Sequence, residues 1–497
     1  MSSKSSFESY PSPRFLLPEG VEDTEDVENY EPGGFHPVHL GDTFDDGRYR
    51  IVHKLGAGGF STVWLARDEK DKKWVALKIV AARHSIPTAE KSSLTHAMLP
   101  VDGKQRVVVH RRQFTFDGPN GHHLCLILPV LGPSMSDLSY HWNCRLTPWM
   151  ARRAAYQAVR AVADLHSQGL CHGGQFPLDV FLLNFGREAN RVLDVTTGNL
   201  LLGMIDIDCY EENDIYDLFG RPVTGVLETE NGEMPGPEAP RYIVGNIDFL
   251  SAPSDILELD IKLMDFDQCF PISSPPSKML GTPVDFLAPE VAMGLEPGPA
   301  SDVWALGCCI FRLRAGDGPF SSPFEVTCPA DLVGFVLDTL GGDVPPSWQD
   351  TLWDSRGMPT KDASKGKPLK ERHAINRRPL RDLVYKIWDE PNGRAIHTGS
   401  RTEEQRIWLE HEHQPFQSSW SKMAWNPTAI RVDDVGYLSG YNRRWNTLLA
   451  LLPKIPDREA ALLYDLMLTI FVYDPARRPT AKELLEHPYF HLDGPEE

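Results

Sequence analysis

Between residues 49 and 80 the chain alternates strand and turn signals in a way that few folds accommodate. Tyr49-Arg-Ile-Val-His-Lys-Leu55 and Thr62-Val-Trp-Leu-Ala-Arg67 have the β-branched and aromatic character of short strands, with Gly56, Gly58 and Gly59 between them. Trp74-Val-Ala-Leu-Lys-Ile-Val80 reads as a third strand, so an antiparallel sheet is predicted. Glycines in the connecting hairpin would let backbone N–H groups approach phosphate oxygens that side chains otherwise block. Glycine turns are common, but here Lys78 follows Val63 by 15 residues on the next strand. A lysine buried beside such a loop needs an anionic partner, and a nucleotide supplies one. Glu90 is the only acidic residue between Lys78 and Asp102, and the expectation is that it holds Lys78 in place. The alternative is a solvated position on a helix, which is expected to begin after Pro87.

Further along, Ile261-Lys-Leu-Met-Asp-Phe-Asp267 is a strand ending in a carboxylate, and Asp265 is placed to chelate Mg²⁺ on nucleotide phosphates. Gly281-Thr-Pro-Val-Asp-Phe-Leu-Ala-Pro-Glu290 precedes an almost wholly apolar helix, Ser301 to Arg314, which contains Asp302. A buried Glu290 demands a cation, and Arg478 in Asp474-Pro-Ala-Arg-Arg-Pro479 is the candidate. Residues 106–131 predict two more strands about Gly118-Pro-Asn-Gly121. Thr147-Pro148 predicts the start of a helix running to about Leu165, and Thr480 with Glu483 predicts a capping box before the last helix.

These motifs, in this order, resemble the protein kinase family over roughly residues 49 to 490. Tyr30-Glu-Pro-Gly-Gly-Phe-His-Pro-Val38, Gly41-Asp42, Arg48-Tyr49, Phe60-Ser-Thr-Val-Trp-Leu65 and Gly118-Pro-Asn-Gly-His-His-Leu-Cys-Leu126 resemble its SR-protein kinase branch, of fungal type. The resemblance implies an α+β, bilobal protein kinase fold: a small antiparallel sheet with one main helix, then a larger, mostly helical lobe. It implies ATP and Mg as cofactors, with Leu55, Gly56, Ala57, Gly58, Gly59, Phe60, Ser61, Val63, Ala76 and Lys78 at the nucleotide. It also implies transfer of the γ-phosphate to serine in basic, Arg-rich protein partners.

The catalytic loop departs from the family pattern. His172-Gly-Gly-Gln-Phe-Pro-Leu-Asp179, with Pro177 setting the register, puts Gly174 at the proton-acceptor position and Asp179 where the metal-binding Asn is usual. Phe176 stands where a lysine often contacts the transferred phosphate, and Asp267 replaces a glycine. Lys78, Glu90 and Asp265 remain as catalytic candidates, with Asp179 and Asp265 for the metal. A lost general base is worth about 10²–10⁴-fold in rate, while phosphoryl transfer relies mostly on positioning and electrostatics. A slow kinase and a nucleotide-binding pseudokinase scaffold therefore both stand.

Composition bears on partners and boundaries. The net charge of −19 and the acidic run Glu19 to Glu28 disfavour nucleic acid and suit cationic protein segments. No apolar stretch reaches the ~18–20 residues of a membrane span. Eight cysteines without a CxxC pair suggest a reducing compartment, cytoplasmic or nuclear, and a monomer is expected. Residues 1–34 read as a disordered acidic tail, 35–131 as the first lobe, and 132–490 as the second. That second lobe carries insertions at about 187–260 and 343–400, the latter with a basic stretch at 361–378, before a short tail at 491–497.

Overall fold

The computed structural model describes residues 13–21, 24–99, 106–139, 145–173, 197–249, 256–266, 269–276, 284–320, 328–342, 345–369, 377–389 and 453–492, with a few isolated positions besides. They form two compact units. The first comprises the chain up to residue 90, 110–130 and 206–248; the second comprises 91–109, 131–205 and 249 onward.

The first unit is built on a six-stranded antiparallel sheet. Its strands are β1 (Thr43–Phe44), β2 (Tyr49–Ala57), β3 (Ser61–Asp68), β4 (Lys73–Val80), β5 (Arg112–Gly118) and β6 (Gly121–Leu128), in the order β1-β2-β3-β4-β6-β5. The period of two along each strand sorts the side chains. Trp64 and Ala66, Val75, Leu77 and Ile79, and Cys125 and Ile127 share one buried cluster, whereas Val80, Leu124 and Leu126 form another. The strands and the hairpin about Gly118–Gly121 fall where the sequence places them.

Helix α1 (Ala82–Met98) begins six residues before the expected start, with Pro87 inside it. Its first N–H groups find partners outside the helix: Ala82 donates to Gly34 O at 3.0 Å and Arg83 to Gly33 O at 2.7 Å. These carbonyls satisfy donors that a helix start leaves open, so the helix begins where the tail meets it.

The supposed disordered tail is therefore a correction. Its described part folds onto the sheet, together with residues 206–248 of the insertion expected in the second lobe. Phe15, Val27, Tyr30 and Phe35 join Ala81, Leu227, Ala239 and Ile243 in one buried cluster, while Phe15–Leu16 pair as a strand with Glu228–Thr229. Each large apolar side chain so buried is worth about 1.5–3 kcal/mol. The physical reason the composition misled is charge. Residues 206–248 carry eleven acidic and two basic side chains, and 13–34 carry seven and one. Part of that charge lands on cations of the sheet and of α1: Glu212 on Arg50 at 2.8 Å and Glu25 on Lys54 in the sheet, and Glu31 on Arg83 of α1 at 2.5 Å. Glu25 and Lys54 are both buried; Tyr30 O–H donates to the same carboxylate, and Lys54 Nζ also donates to Val244 O at 3.2 Å.

The second unit is mostly helical. Helix α2 (Pro148–Ser167) starts as expected, with Met150 N–H donating to the Thr147 hydroxyl at 3.3 Å. Behind it pair β7 (Leu200–Met204) and β8 (Leu257–Leu263), antiparallel. Helix α3 (Pro299–Ala315) is buried at every position from Ser301 to Arg314 and ends on Gly316 at φ 78°, a left-handed cap. Helices α4 (Pro329–Leu340) and α5 (Asp457–Ile470) follow, and the capping box of Thr480 and Glu483 forms. Buried Arg314 is held by Glu459 at 2.8 Å and Asp389 at 2.7 Å, so its charge is matched twice. Lys361, Lys365 and Lys367 of the basic stretch lie exposed around a small three-stranded sheet; residues 370–376 lie outside the described residues. The α+β architecture in two units is the one expected.

Candidate functional site

In the first unit, the glycine loop connects β2 to β3. Gly58 N–H donates to Ser61 O at 2.9 Å, and Ala81 N–H to Phe60 O at 2.8 Å, tying both ends of the loop to the sheet. Phe60 is buried and meets the ring of His84 edge-on at 4.6 Å. None of Gly56, Gly58 and Gly59 has a left-handed φ, and a Cβ built on any of them meets nothing within 4 Å. The fold itself thus has no steric need for glycine at these positions. What they leave is bare backbone facing open space, which suits close approach of a ligand.

Lys78 lies on β4 in register with Val63 of β3 and with Leu126 of β6. It is buried to 4% exposure, and Ala76 on the same strand to 5%. Leu55, Ala57 and Val63 are half-buried and Ser61 buried, so the loop residues predicted at the nucleotide surround one strand pair. Glu90 does not join them. It is exposed on α1, and among the described residues no hydrogen bond or ion pair links it to Lys78. The reason is helical phase: the buried face of α1 runs through Ser85, Thr88, Ser92 and Thr95, at three- and four-residue spacing, and Glu90 falls on the opposite side.

In the second unit, β8 delivers Asp265 to a turn. Asp265 is partly buried and held at φ 69°. A side chain in the left-handed region carries about 1–3 kcal/mol of strain and persists only where its surroundings enforce it. Phe266, next along, is buried against the ring of His172 at 5.0 Å. His172 Nε2 lies 3.1 Å from Met264 O, so the residues flanking Asp265 are anchored on both sides.

That anchoring ends on Asp302 of α3. Its carboxylate accepts from the His172 N–H at 2.8 Å and lies 2.9 Å from His166 Nε2, with the Gly173 N–H at 3.4 Å. Burial pushes Asp302 upward, but the hydrogen bond with His166 and the neighbouring imidazoles outweigh it and hold the carboxyl below its ordinary value. Burial lowers His172, favouring the neutral ring, and raises the Cys171 thiol. His166, Cys171 and Asp302 lie close together, and the carboxylate of Asp302 is already engaged by the His172 N–H and by His166. Asp302 is better described as a buried anchor for the chain entering the catalytic loop. The sequence reading placed Asp302 in its motif but gave it no task; the signal was a lone acid within an apolar helix.

The expected pair of Glu290 and Arg478 is present: both oxygens of the buried carboxylate accept from the guanidinium, at 2.6 and 2.7 Å. Arg478 also lies over the Trp304 ring at 4.9 Å. Gly174, Phe176, Asp179, Asp267 and Gly281–Pro283 lie outside the described residues.

A family model described as "Protein kinase domain" matches residues 49–173. The serine/threonine-protein kinase spk-1 of Caenorhabditis elegans is 35% identical over 196 residues, covering 38% of this chain and 19% of the relative. Protein kinase dsk1 of Schizosaccharomyces pombe is 36% identical over 166 residues, 32% of this chain and 30% of the relative. Less than a third of either relative is therefore spanned. The serine/threonine-protein kinase SRPK of Physarum polycephalum is 26% identical over 481 residues, 94% of this chain and 92% of the relative.

Proposed function

We propose that this chain is a protein kinase of the SR-protein kinase branch, and that it binds ATP with Mg²⁺ and slowly phosphorylates serines in basic, arginine-rich protein segments. The observation that carries this reading is Lys78, a cation buried on a strand beside a loop whose three glycines serve no internal packing. Buried positive charge next to accessible backbone N–H groups suits a polyanion.

When bound, the nucleotide and its metal supply the phosphoryl group and neutralise part of its charge. Lys78 steadies phosphate oxygens, and the backbone of Gly56–Gly59 donates to others. Asp265, with Asp179, offers carboxylate oxygens to the metal, and the strained φ of Asp265 fixes where its carboxylate points. The anchor at Asp302 holds His172 and Gly173, the last residues before the segment that carries Gly174. With glycine there, no side chain accepts the serine proton, and the rate falls by about 10²–10⁴-fold. A reducing cytoplasmic or nuclear setting accompanies this reading, supported by seven unbridged cysteines among the described residues.

The test is single-turnover transfer from labelled ATP·Mg²⁺ to an Arg-Ser peptide, with Lys78→Met as the blank. Slow transfer above the blank is expected, and Gly174→Asp should raise it by about 10² or more. Transfer equal to the blank in both proteins, with ATP still raising the melting temperature, would establish a nucleotide-binding scaffold in its place.

A further inference from the structure

The acidic cover on the first unit presents an outer surface used neither by the sheet nor by the phosphoryl-transfer residues. Five large apolar side chains on it are exposed: Leu16 at 45%, Leu17 at 54%, Val223 at 57%, Val226 at 56% and Met234 at 55%. They come from two segments just over 200 residues apart, yet these form one surface. Leu16 stands opposite Glu228 in the strand pair, and Pro18 and Val21 press so closely on Gly225 that a Cβ there would fall 2.5 Å from Pro18. Clustered exposed apolar groups of this kind mark an interaction site more often than scattered ones do.

The charges around the patch identify what it fits. On the inner side of the cover the carboxylates are consumed, as Glu25, Glu31 and Glu212 show. On the outer side Glu19, Glu228, Glu230 and Glu233 are all exposed, and no ion pair joins any of them among the described residues. Of the cover's three basic residues, Arg14 is committed to Glu28 at 3.0 Å and Arg221 lies over Tyr216, while Arg241 is exposed beside Leu227. Four unmatched anions against that one cation leave the surroundings of the patch net negative, which repels acidic partners and attracts cations.

We propose that this surface docks a short basic segment of a partner protein, its aliphatic side chains on Leu16, Leu17, Val226 and Met234 and its lysine or arginine side chains on the surrounding glutamates. The two tiny sheets here have open edges, so an extended segment could also add backbone hydrogen bonds.

The experiment is fluorescence anisotropy of the full-length chain with a labelled peptide of alternating valine and arginine, beside valine–glutamate and serine–arginine peptides. Phosphoryl transfer plays no part in the readout. The expected result is binding by the valine–arginine peptide alone, weakened by salt and reduced about tenfold by Leu16→Ser/Val226→Ser. Should that variant melt early, Glu228→Gln/Glu230→Gln/Glu233→Gln, which alters exposed groups only, carries the test with the same expectation. Equal binding of the serine–arginine peptide, or full affinity in the charge variant, overturns the proposal. So does self-association of the wild-type chain in sedimentation that Leu16→Ser/Val226→Ser abolishes, since the face then belongs to a second copy.

Discussion

At the glycine loop of the first unit, Gly56, Gly58 and Gly59 sit in ordinary backbone conformations with open space where side chains would be. At the end of β8 in the second unit, Asp265 has a side chain and is nonetheless held at φ 69°. One segment is more permissive than its fold requires; the other is more strained than its residue prefers. Neither choice helps the chain to fold, because the first adds conformational entropy to the unfolded state and the second stores strain. The proposed function gives each departure a use, close approach of phosphate in the first unit and a fixed metal ligand in the second.

The contrast implies that the second unit needs a firm anchor and the first does not, and the largest expected effect tests this. Asp302→Ala leaves the buried His172 N–H without its acceptor and should lower unfolding free energy by about 3–5 kcal/mol in urea denaturation. Gly58→Ala should change it by less than about 1 kcal/mol. Equal losses from the two substitutions would dissolve the contrast.

An intermediate effect comes from acid. Burial lowers His36 to about 3, and His53 and His84 to about 4, from an ordinary 6.5, all in the first unit. Above pH 6.5 neither the folded nor the unfolded state protonates them, so their contribution is constant. Below it the unfolded chain takes up protons that the folded unit refuses. Stability then falls by up to about 1.4 kcal/mol per histidine per pH unit until the folded rings titrate. Burial lowers His123 in the first unit as well, and His172 acts in the same direction in the second, one ring against four among the described residues. Between pH 7 and pH 5, hydrogen-exchange protection, taken relative to the intrinsic amide rate at each pH, should therefore fall in Val75–Ile79 before Val303–Leu313; simultaneous loosening would contradict this.

The smallest effect is the most specific. Asp265→Gly should relieve strain and raise stability by about 0.5–1 kcal/mol, while removing Mg²⁺-dependent nucleotide stabilisation in a thermal melt. Gly58→Ala should also weaken nucleotide stabilisation without loss of fold. A destabilised Asp265→Gly protein would mean that the aspartate is structural.

Much of this was legible along the chain. The strands about the glycine loop, the placement of Lys78, the start of α2 at Thr147 and the capping box at Thr480 follow from turn chemistry and periodicity within a few residues. The partnership of Glu290 with Arg478 was reached too, because a buried carboxylate near a motif leaves few cations to choose from. Glu90 was misjudged by a counting argument, being the only acid nearby in sequence, when helical phase decides which way a residue faces.

By itself, then, the sequence determined the local elements and the residue types at the glycine loop, since these depend on neighbours a few positions away. Only the tertiary structure decided that an acidic arm and an acidic insertion would cover a basic sheet. It also decided that Glu25 would be buried on Lys54, that Asp302 would hold the chain at His172, and that Asp265 would be strained. In each of these, burial and charge matching act between segments far apart in the chain, and a buried charge is tolerated only where a specific distant partner arrives to meet it.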